Sequence, residues 1–523
     1  MEKLDTSVNG KQLMQRQLVG DFVYCEAQGD FTLPDYMPQI RKIVRIDTTV
    51  IPSGKFVASN RAEFAGIVAY NLVYSDEEGA LASTSLSSDY EFSVSMPSEA
   101  GEYCVVCDSM AESTQCRPSG PRKLSLKSSI KSSVHIYCAS AVECIADTEL
   151  CLETLTHPYS VMSTKCATSG EFTLSDTIDM DGYTPDTLRV NFTSADVVVR
   201  EAHLQEGAVV CRGEAHVKCN LSPATGVPFS VNKKIPFEQI VPISAPDARS
   251  CVAYGRCCFV NCSLEAVAET CRVRFELGAE LDVECTANST VTLTEDAYST
   301  ECKAIPSYKN AVFSSFVGSA MGNYSVGSSR PRGADEDGIM TVIDTSATST
   351  VKSISEKDGR AVIHGECKTE TLVCRVVNDG ESAEYISCPY TFPFKLESDL
   401  RVGSDENIEY DCHLTTAMAR ARIEDDSLFV DAELFVALRA SKKQTVRILD
   451  GVELDRNDTL PDRSGKIVIC YPDDGETLFS LAKKYRVGYR RLASINDIPD
   501  SLADAPNETV TLDGISHLVI PRS

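Results

Sequence analysis

The stretch VVCRGEAHVKCNL, residues 209–221, decides the class of fold. Apolar or small side chains occupy its odd-numbered positions, and polar side chains occupy its even-numbered positions from Arg212 onward. Because successive side chains of a β-strand point to opposite faces, this alternation predicts a half-buried strand. Cys211 and Cys219 should then lie on the buried face, and His216 should lie on the solvated face.

Two other segments repeat this pattern around a glycine, FAGIVAY at residues 64–70 and IHGECKT at residues 363–369. The three glycines, Gly66, Gly213 and Gly365, are 147 and 152 residues apart. An aromatic segment follows each glycine, and a long alternating strand centred 68, 68 or 69 residues after the glycine closes each unit. A shared interval of this size indicates internal repetition.

The repetition predicts a mainly β chain with three antiparallel, sandwich-like modules. We place them at residues 1–155, 156–300 and 301–450, and a small α+β domain at residues 465–523 follows them. Residues 318–337 are rich in Gly, Ser, Arg and Pro, which predicts a linker or loop there.

Charge and length restrict the classes of function. The chain has 523 residues, and 50 Lys and Arg against 76 Asp and Glu give a net charge of −26. Such a charge disfavours nucleic acid and anionic membranes as partners. No stretch approaches the roughly 20 apolar residues of a transmembrane helix, and the polar N-terminus does not resemble a signal peptide. We therefore expect the protein to stay in the compartment where it is made.

The default expectation for the 22 cysteines is reduced thiols, many of which pack as small apolar strand residues, and later oxidative cross-linking stays open as an alternative. Only Cys104 and Cys107 form a CxxC pair, and a zinc site needs a second such pair or a pair of histidines. A denser group has no standard ligand spacing: Cys251, Cys257, Cys258 and Cys262. The sequence therefore predicts no metal and no cofactor.

The first module begins with a proline-rich segment, LPDYMPQIRKI at residues 33–43, which leads into a strand at residues 44–51. This motif resembles the signature of the SPOCS domain, found in clostridial spore coat morphogenetic proteins. Gln39 stands where that family usually has Asp. The second and third modules keep the glycine strand and the aromatic segment but not this motif.

After residue 464 the pattern changes to that of a small helical domain. A β-rich run at residues 466–471 precedes a turn, and Leu478, Leu481, Ala482 and Tyr485 then form one apolar helix face. A second short helix ends at Asn496, and residues 518–521 form a closing strand. The predicted order is strand, helix, helix, strand.

This order resembles a LysM domain. The matching residues are GETL at 475–478, LASIN at 492–496 and the Ile-Pro pair at 520–521. Glu476 replaces the usual Asp, which should weaken the cap of the first helix, and Gly488 stands where Ser or Thr usually caps the second helix.

The resemblance implies a shallow groove for N-acetylglucosamine chains. Its lining would be Asp474, Gly475, Glu476, Thr477, Leu478, Asn496, Asp497 and Ile498. Five cations also lie close together: Lys483, Lys484, Arg486, Arg490 and Arg491. They are either a solvated helix face or a docking surface for an acidic protein partner.

Motifs of catalysis are absent from the sequence, including the nucleophile elbow, the phosphate-binding loop and the zinc-protease helix. His157 is expected in a turn before Pro158, and His216 and His364 on polar strand faces. Cys412 and His413 are adjacent strand residues, so their side chains should point to opposite faces. We predict no catalytic residue and no enzyme activity.

The complete layout resembles the family of clostridial spore coat morphogenetic proteins. It implies a non-catalytic adaptor made in the mother cell cytoplasm and recruited to the forespore surface. There it would tether the coat through its LysM-like domain, in contact with the coat basement-layer ATPase and other coat proteins. Two alternatives stay open: a protein that binds peptidoglycan through its LysM-like domain, and a scaffold unrelated to sporulation.

Overall fold

The fold is that of a computed structural model. It describes residues 2–3, 9–58, 60–98, 101–145, 152–267, 270–333, 336, 340–377, 382–403, 407–459, 467–473, 475–498, 512 and 516–521. The chain is mainly β, as predicted, and its sheets are antiparallel. Within the described residues, no helix is both long and apolar enough to cross a lipid bilayer.

Residues 9–145, the first stretch, form two three-stranded sheets. The strands are β2 (Asn9–Thr32), β3 (Lys42–Val57), β4 (Arg61–Ser75), β5 (Leu81–Ser95), β6 (Glu102–Gly120) and β7 (Lys123–Ile145), after a short β1 (Glu2–Lys3). The sheet orders are β3-β4-β5 and β2-β7-β6. The proline-rich segment precedes β3, and Arg122 and Tyr74 hold it through the carbonyls of Pro34 (2.8 Å) and Pro38 (3.1 Å).

Residues 152–299, the second stretch, repeat this order. The strands are β8 (Leu152–Thr168), β9 (Phe172–Met180), β10 (Leu188–Gln205), β11 (Ala208–Pro223), β12 (Phe229–Pro242), β13 (Ser250–Val267) and β14 (Thr270–Ser299). The sheet orders are β10-β11-β12 and β13-β14-β8, and β9 also pairs with β14. His157 therefore lies within a strand, not in the predicted turn, because β8 pairs with β14 along this length.

Residues 302–459, the third stretch, have the same order again. The strands are β15 (Cys302–Pro331), β16 (Met340–Lys357), β17 (Arg360–Val377), β18 (Ser382–Arg401), β19 (Ile408–Glu424) and β20 (Ser427–Thr459). The sheet orders are β16-β17-β18 and β15-β20-β19, and β1 also pairs with β20. The linker predicted at residues 318–337 is wrong up to Pro331, since β15 pairs with β20 there.

The predicted division at 300 falls between β14 and β15, but the other two divisions do not coincide with strand ends. The division at 155 falls inside Leu152–Thr168, and the division at 450 falls inside Ser427–Thr459. Alternation alone does not show where one long strand ends, because the period of two continues through the whole strand.

Each repeated glycine lies in the middle strand of its three-stranded sheet and is covered by an aromatic ring. Gly66 pairs with Tyr90, Gly213 with Phe237 and Gly365 with Phe394. A Cβ at any of these glycines would overlap that ring and a carbonyl of the preceding strand. The preceding strand shifts its register at the same level in all three sheets, so glycine is needed for close backbone approach.

The two sheets of each stretch pack face to face around an apolar core. Cys211 and Cys219 are fully buried in the second core, as predicted. His216 is only 3% exposed, contrary to the expectation, because Phe435 of the third stretch packs edge-on against its ring at 5.9 Å. At His216 the polar face of β11 is therefore covered by the third stretch, whereas Arg212 on the same face stays exposed.

Among the described residues one pair of cysteines is bonded, which departs from the default expectation of reduced thiols. Cys104 on β6 forms a disulfide with Cys166 on β8, across a Cα separation of 5.8 Å. Cys107, the other member of the CxxC pair, is a free thiol. The disulfide joins the first stretch to the second, a contact that the spacing of cysteines in the sequence does not reveal.

The C-terminal unit, residues 467–521, has its elements in the predicted order. These are β21 (Val468–Cys470), α1 (Leu478–Tyr485), α2 (Tyr489–Ile495) and β22 (Leu518–Ile520), and the two strands pair antiparallel. Leu478, Leu481 and Ala482 of α1 are buried, as the apolar spacing predicts.

Candidate functional site

The first turn of the C-terminal unit is capped by Thr477 and not by its neighbour. The Thr477 hydroxyl accepts from the Ser480 amide at 3.1 Å, and the Ser480 hydroxyl accepts from the Thr477 amide at 3.0 Å. Glu476 instead accepts from the Asp473 amide at 3.0 Å and pairs with Lys484 at 3.2 Å. The weak cap expected from Glu476 is therefore wrong, because Thr477 and Ser480 form a reciprocal capping box. Gly488 caps α2 without a side-chain bond, as expected.

The predicted groove residues divide into buried and exposed sets. Leu478 is fully buried and Ile498 nearly so, and both belong to the core of the unit. Asn496 bonds the Leu492 and Val519 carbonyls at 2.8 Å each, and its own oxygen accepts from the Val519 amide. These three residues therefore contribute to the core and the internal hydrogen bonds of the unit.

The remaining groove residues lie nearer to the surface. Gly475 and Asp497 are exposed, and Glu476 and Thr477 are half-buried. Asp474 lies outside the described residues. The Leu512 amide donates to the Glu476 carbonyl at 3.2 Å, so the chain after α2 returns to this turn.

The five cations predicted to face a partner do not share one role. Lys483 donates to both carboxylate oxygens of Asp296 on β14, at 2.7 and 2.5 Å. Arg486 donates to the Asp458 carbonyl on β20 at 3.1 Å. Acidic residues of the same chain therefore pair with these two cations, and both side chains stay only partly exposed.

The other three cations lie at the surface. Lys484, Arg490 and Arg491 are exposed. Lys484 already pairs with Glu476. Arg490 lies near Glu153. Burial raises the pKa of Glu153, and a backbone hydrogen bond from Tyr489 and the charge of Arg490 oppose this effect.

An apolar contact accompanies the ion pairs of the C-terminal unit. Tyr298 of β14 is 3% exposed, packs edge-on against Phe479 at 5.2 Å, and donates its hydroxyl to the Val487 carbonyl at 2.8 Å. Tyr298 belongs to the same core cluster as Leu478 and Leu481. The unit is therefore docked on the β-stretches, and its core is completed by a residue from outside it.

The sequence interpretation missed the residues that receive the unit, namely Asp296, Tyr298 and Asp458. Lys483 and Asp296 are 187 positions apart, and Tyr298 and Val487 are 189 apart. No local pattern marks them, because each is an ordinary member of an alternating strand.

The three stretches meet at a cluster of charged and aromatic side chains, the charged junction, in which Glu284 and Arg439 are buried and Asp108 is exposed at the rim. It comprises Asp108, His135 and Tyr137 of the first stretch, Tyr254 and Glu284 of the second, and Asp411, His413 and Arg439 of the third. Arg439 binds Glu284 at 2.8 Å and also binds Asp411. His413 contacts Glu284 at 3.2 Å, and the ring of Tyr254 stacks on His413 at 3.8 Å.

The charges of this junction are mutually stabilised. Burial lowers the pKa of His413, but the carboxylates of Asp108 and Glu284 outweigh burial and raise it to about 10. Burial raises the pKa of Asp411, but Arg439 and His135 outweigh it and lower that pKa to about 2. At neutral pH the junction therefore contains the ionised forms of His413, Arg439 and Asp411.

A second contact between stretches lies at the bulges of the three-stranded sheets. Arg45 on β3, Phe192 on β10 and Asp344 on β16 each stand 21 positions before the repeated glycine of their stretch. Arg45 binds Asp344 at 2.6 Å and lies 5.0 Å from the centre of the Phe192 ring. Lys218 also binds Asp344, at 3.1 Å.

The edges of the three-stranded sheets contact each other in cyclic order. β5 lies against β10, β12 against β16, and β18 against β3. Lys42 of β3 binds Glu384 of β18 at 3.0 Å, which joins the first stretch to the third. The three stretches therefore close into a ring, and none extends away from the others as an isolated module.

The chemistry of these sites is that of ion pairing. Cys412 packs against the core of the third stretch while His413 lies in the charged junction, so they do not form a pair. Glu171, Cys258 and Glu280 have potential ligand atoms within 4.8 Å of one another, but Arg256 already binds Glu280. Comparisons with protein-family models, curated proteins and solved structures found no match.

Proposed function

We propose that this protein is a non-catalytic scaffold of spore coat assembly, built from three copies of one β module and a docked LysM-like unit. The observation that carries the proposal is the closed ring, in which ion pairs and apolar contacts join all three stretches. A ring of this kind presents several fixed surfaces at once, as an adaptor requires.

The proposal that the three modules are copies of one unit is supported by a constant spacing between each glycine and the carbonyl that faces it. The carbonyls facing the glycine belong to Ile51, Val198 and Thr350, each 15 positions before its glycine. The proposed modules are residues 9–145, 152–299 and 302–459, and they correspond to the divisions predicted from sequence with ends moved to strand ends.

The proposed partner surface is the outer face of α1 and α2. Lys483 and Arg486 are engaged within the chain, which leaves the exposed Lys484 and Arg491 to meet an acidic protein partner. Complementary charge would speed that association and select the partner. The partner proposed is the coat basement-layer ATPase, met at the forespore surface after synthesis in the mother cell cytoplasm.

Imaging of a fluorescent fusion of the full chain through growth and sporulation tests this function. We expect a shell around the forespore, and a diffuse signal in sporulating cells would contradict the proposal. Lys484→Glu with Arg491→Glu should disperse the shell. Arg212→Glu with Arg422→Glu, at exposed sites on the β-stretches, is the matched control and should leave it intact.

Peptidoglycan binding is the second candidate. The observation in its favour is that Gly475 and Asp497 are exposed and that Glu476 and Thr477 are partly so. Sedimentation of the full chain with purified peptidoglycan tests it. The full chain is needed because Tyr298 completes the core of the C-terminal unit. Firm retention that Asp497→Lys, at an exposed groove position, abolishes would favour the glycan over the protein partner.

A further inference from the structure

Two cysteines of the second stretch face each other across its two sheets. Cys219 lies on β11, the middle strand of one sheet, and Cys262 lies on β13, at the edge of the other. Their sulfur atoms are 3.4 Å apart. A disulfide bond is about 2.05 Å long, so the two sulfur atoms must approach each other for a bond to form.

The pair belongs to the second stretch and is not required by the repeated fold. Position 219 is six residues after the repeated glycine, and the corresponding residues are Leu72 in the first stretch and Thr371 in the third. Both are buried, so a larger or a polar side chain also fills this position. Packing alone therefore does not explain a cysteine there with a second cysteine opposite.

The surroundings differentiate the two thiols. The hydrogen bond from Cys219 lowers the pKa of Cys262 against the opposing effect of burial, and a hydrogen bond with Thr193 lowers it further. The same hydrogen bond and burial raise the pKa of Cys219. Cys262 is also partly exposed, whereas Cys219 is completely buried. Cys262 is thus the thiol that an oxidant meets first, and Cys219 is its protonated neighbour.

We propose that Cys219 and Cys262 are an oxidation site, at which a peroxide converts the two thiols into a disulfide that links the sheets of the second stretch. The Cys262 thiolate attacks hydrogen peroxide, forms a sulfenic acid and releases hydroxide. The Cys219 sulfur then attacks the Cys262 sulfur, and the hydroxyl group and the Cys219 proton leave as water. The hydroxide takes up the proton first lost by Cys262, so two thiols and one peroxide give one disulfide and two waters.

Peptide mapping tests the proposal on the full chain. The protein is treated with hydrogen peroxide, its remaining thiols are alkylated, and the peptides are analysed by mass spectrometry before and after reduction. We expect a cross-linked peptide that contains Cys219 and Cys262, is absent before peroxide, and disappears on reduction. Continued alkylation of both cysteines after peroxide, or pairing of either with a different cysteine, would overturn the proposal.

Two variants keep the result independent of a folding defect. In Cys262→Ala, Cys219 should remain alkylatable after unfolding of the peroxide-treated protein. In Cys271→Ala, which removes a fully buried thiol of the same core, the cross-link should form as in the unchanged chain. Peroxide should also raise the midpoint of thermal unfolding of the unchanged chain and of Cys271→Ala, but not of Cys262→Ala. An equal rise in Cys262→Ala would overturn the proposal.

Discussion

Replacement of Arg439 by Met tests whether the charged junction stabilises the ring. Arg439 is 3% exposed and Glu284 is 2% exposed, so their 2.8 Å ion pair is shielded from water. Removal of one partner from a buried ion pair lowers the free energy of unfolding by about 3–5 kcal/mol. We expect about 3 kcal/mol, the lower end of that range, because His413 still faces Glu284 and His135 still faces Asp411.

Thermal unfolding followed by circular dichroism is the assay. A loss of about 3 kcal/mol lowers the unfolding midpoint by about 6–12 °C in a cooperative unit of the size of one stretch. Arg212→Met is the control, since Arg212 and Glu238 form an ion pair of which both side chains are more than half exposed, and such pairs contribute about 0–1 kcal/mol. The double variant Glu284→Gln with Arg439→Met should lose less unfolding free energy than the two single variants lose together. Equal midpoints for Arg439→Met and Arg212→Met would refute the reasoning.

Three further outcomes are expected. Gly213→Ala should destabilise the second stretch by about 2 kcal/mol or more, because the Cβ of the new alanine would overlap a backbone carbonyl. Gly54→Ala is the control and should not lower the unfolding midpoint, because the space around Gly54 is open. His413→Gln should lower the free energy of unfolding most below pH 6.5 and progressively less as the pH rises towards 10. The reason is that folding raises the pKa of His413, and the stability gained in this way is lost as the imidazolium deprotonates. A loss of stability that does not depend on pH would contradict this. Tyr298→Phe should loosen the C-terminal unit by about 1 kcal/mol, seen as faster limited proteolysis, and the exposed Tyr36→Phe should not.

The strand content and the antiparallel sheets could be predicted from sequence because the alternation of side chains is a local, periodic pattern. Alternation around Gly213 identified a strand whose odd positions are buried, and equal intervals identified the two similar strands. The order of elements in the C-terminal unit followed from apolar spacing in α1 and from short β-rich runs on either side.

Contacts between stretches could not be predicted, and they account for most of the errors. His216 has a polar-face position in its own strand, but Phe435 from a distant strand covers it. Lys483 and Arg486 have the spacing of an exposed basic cluster, but they bind Asp296 and Asp458. The alternation within a strand shows which side chains share a face. It does not show whether a distant strand will cover the polar face.

Ring closure is tested most directly by carbodiimide cross-linking, which joins lysine amines to carboxylates in direct contact. Three ion pairs connect successive stretches: Lys165 with Glu102 at 2.5 Å, Lys234 with Glu433 at 3.2 Å, and Lys42 with Glu384 at 3.0 Å. The ring predicts all three cross-linked peptides from the monomeric protein. Recovery of the first two without the link between Lys42 and Glu384 would show an open chain of modules and contradict it.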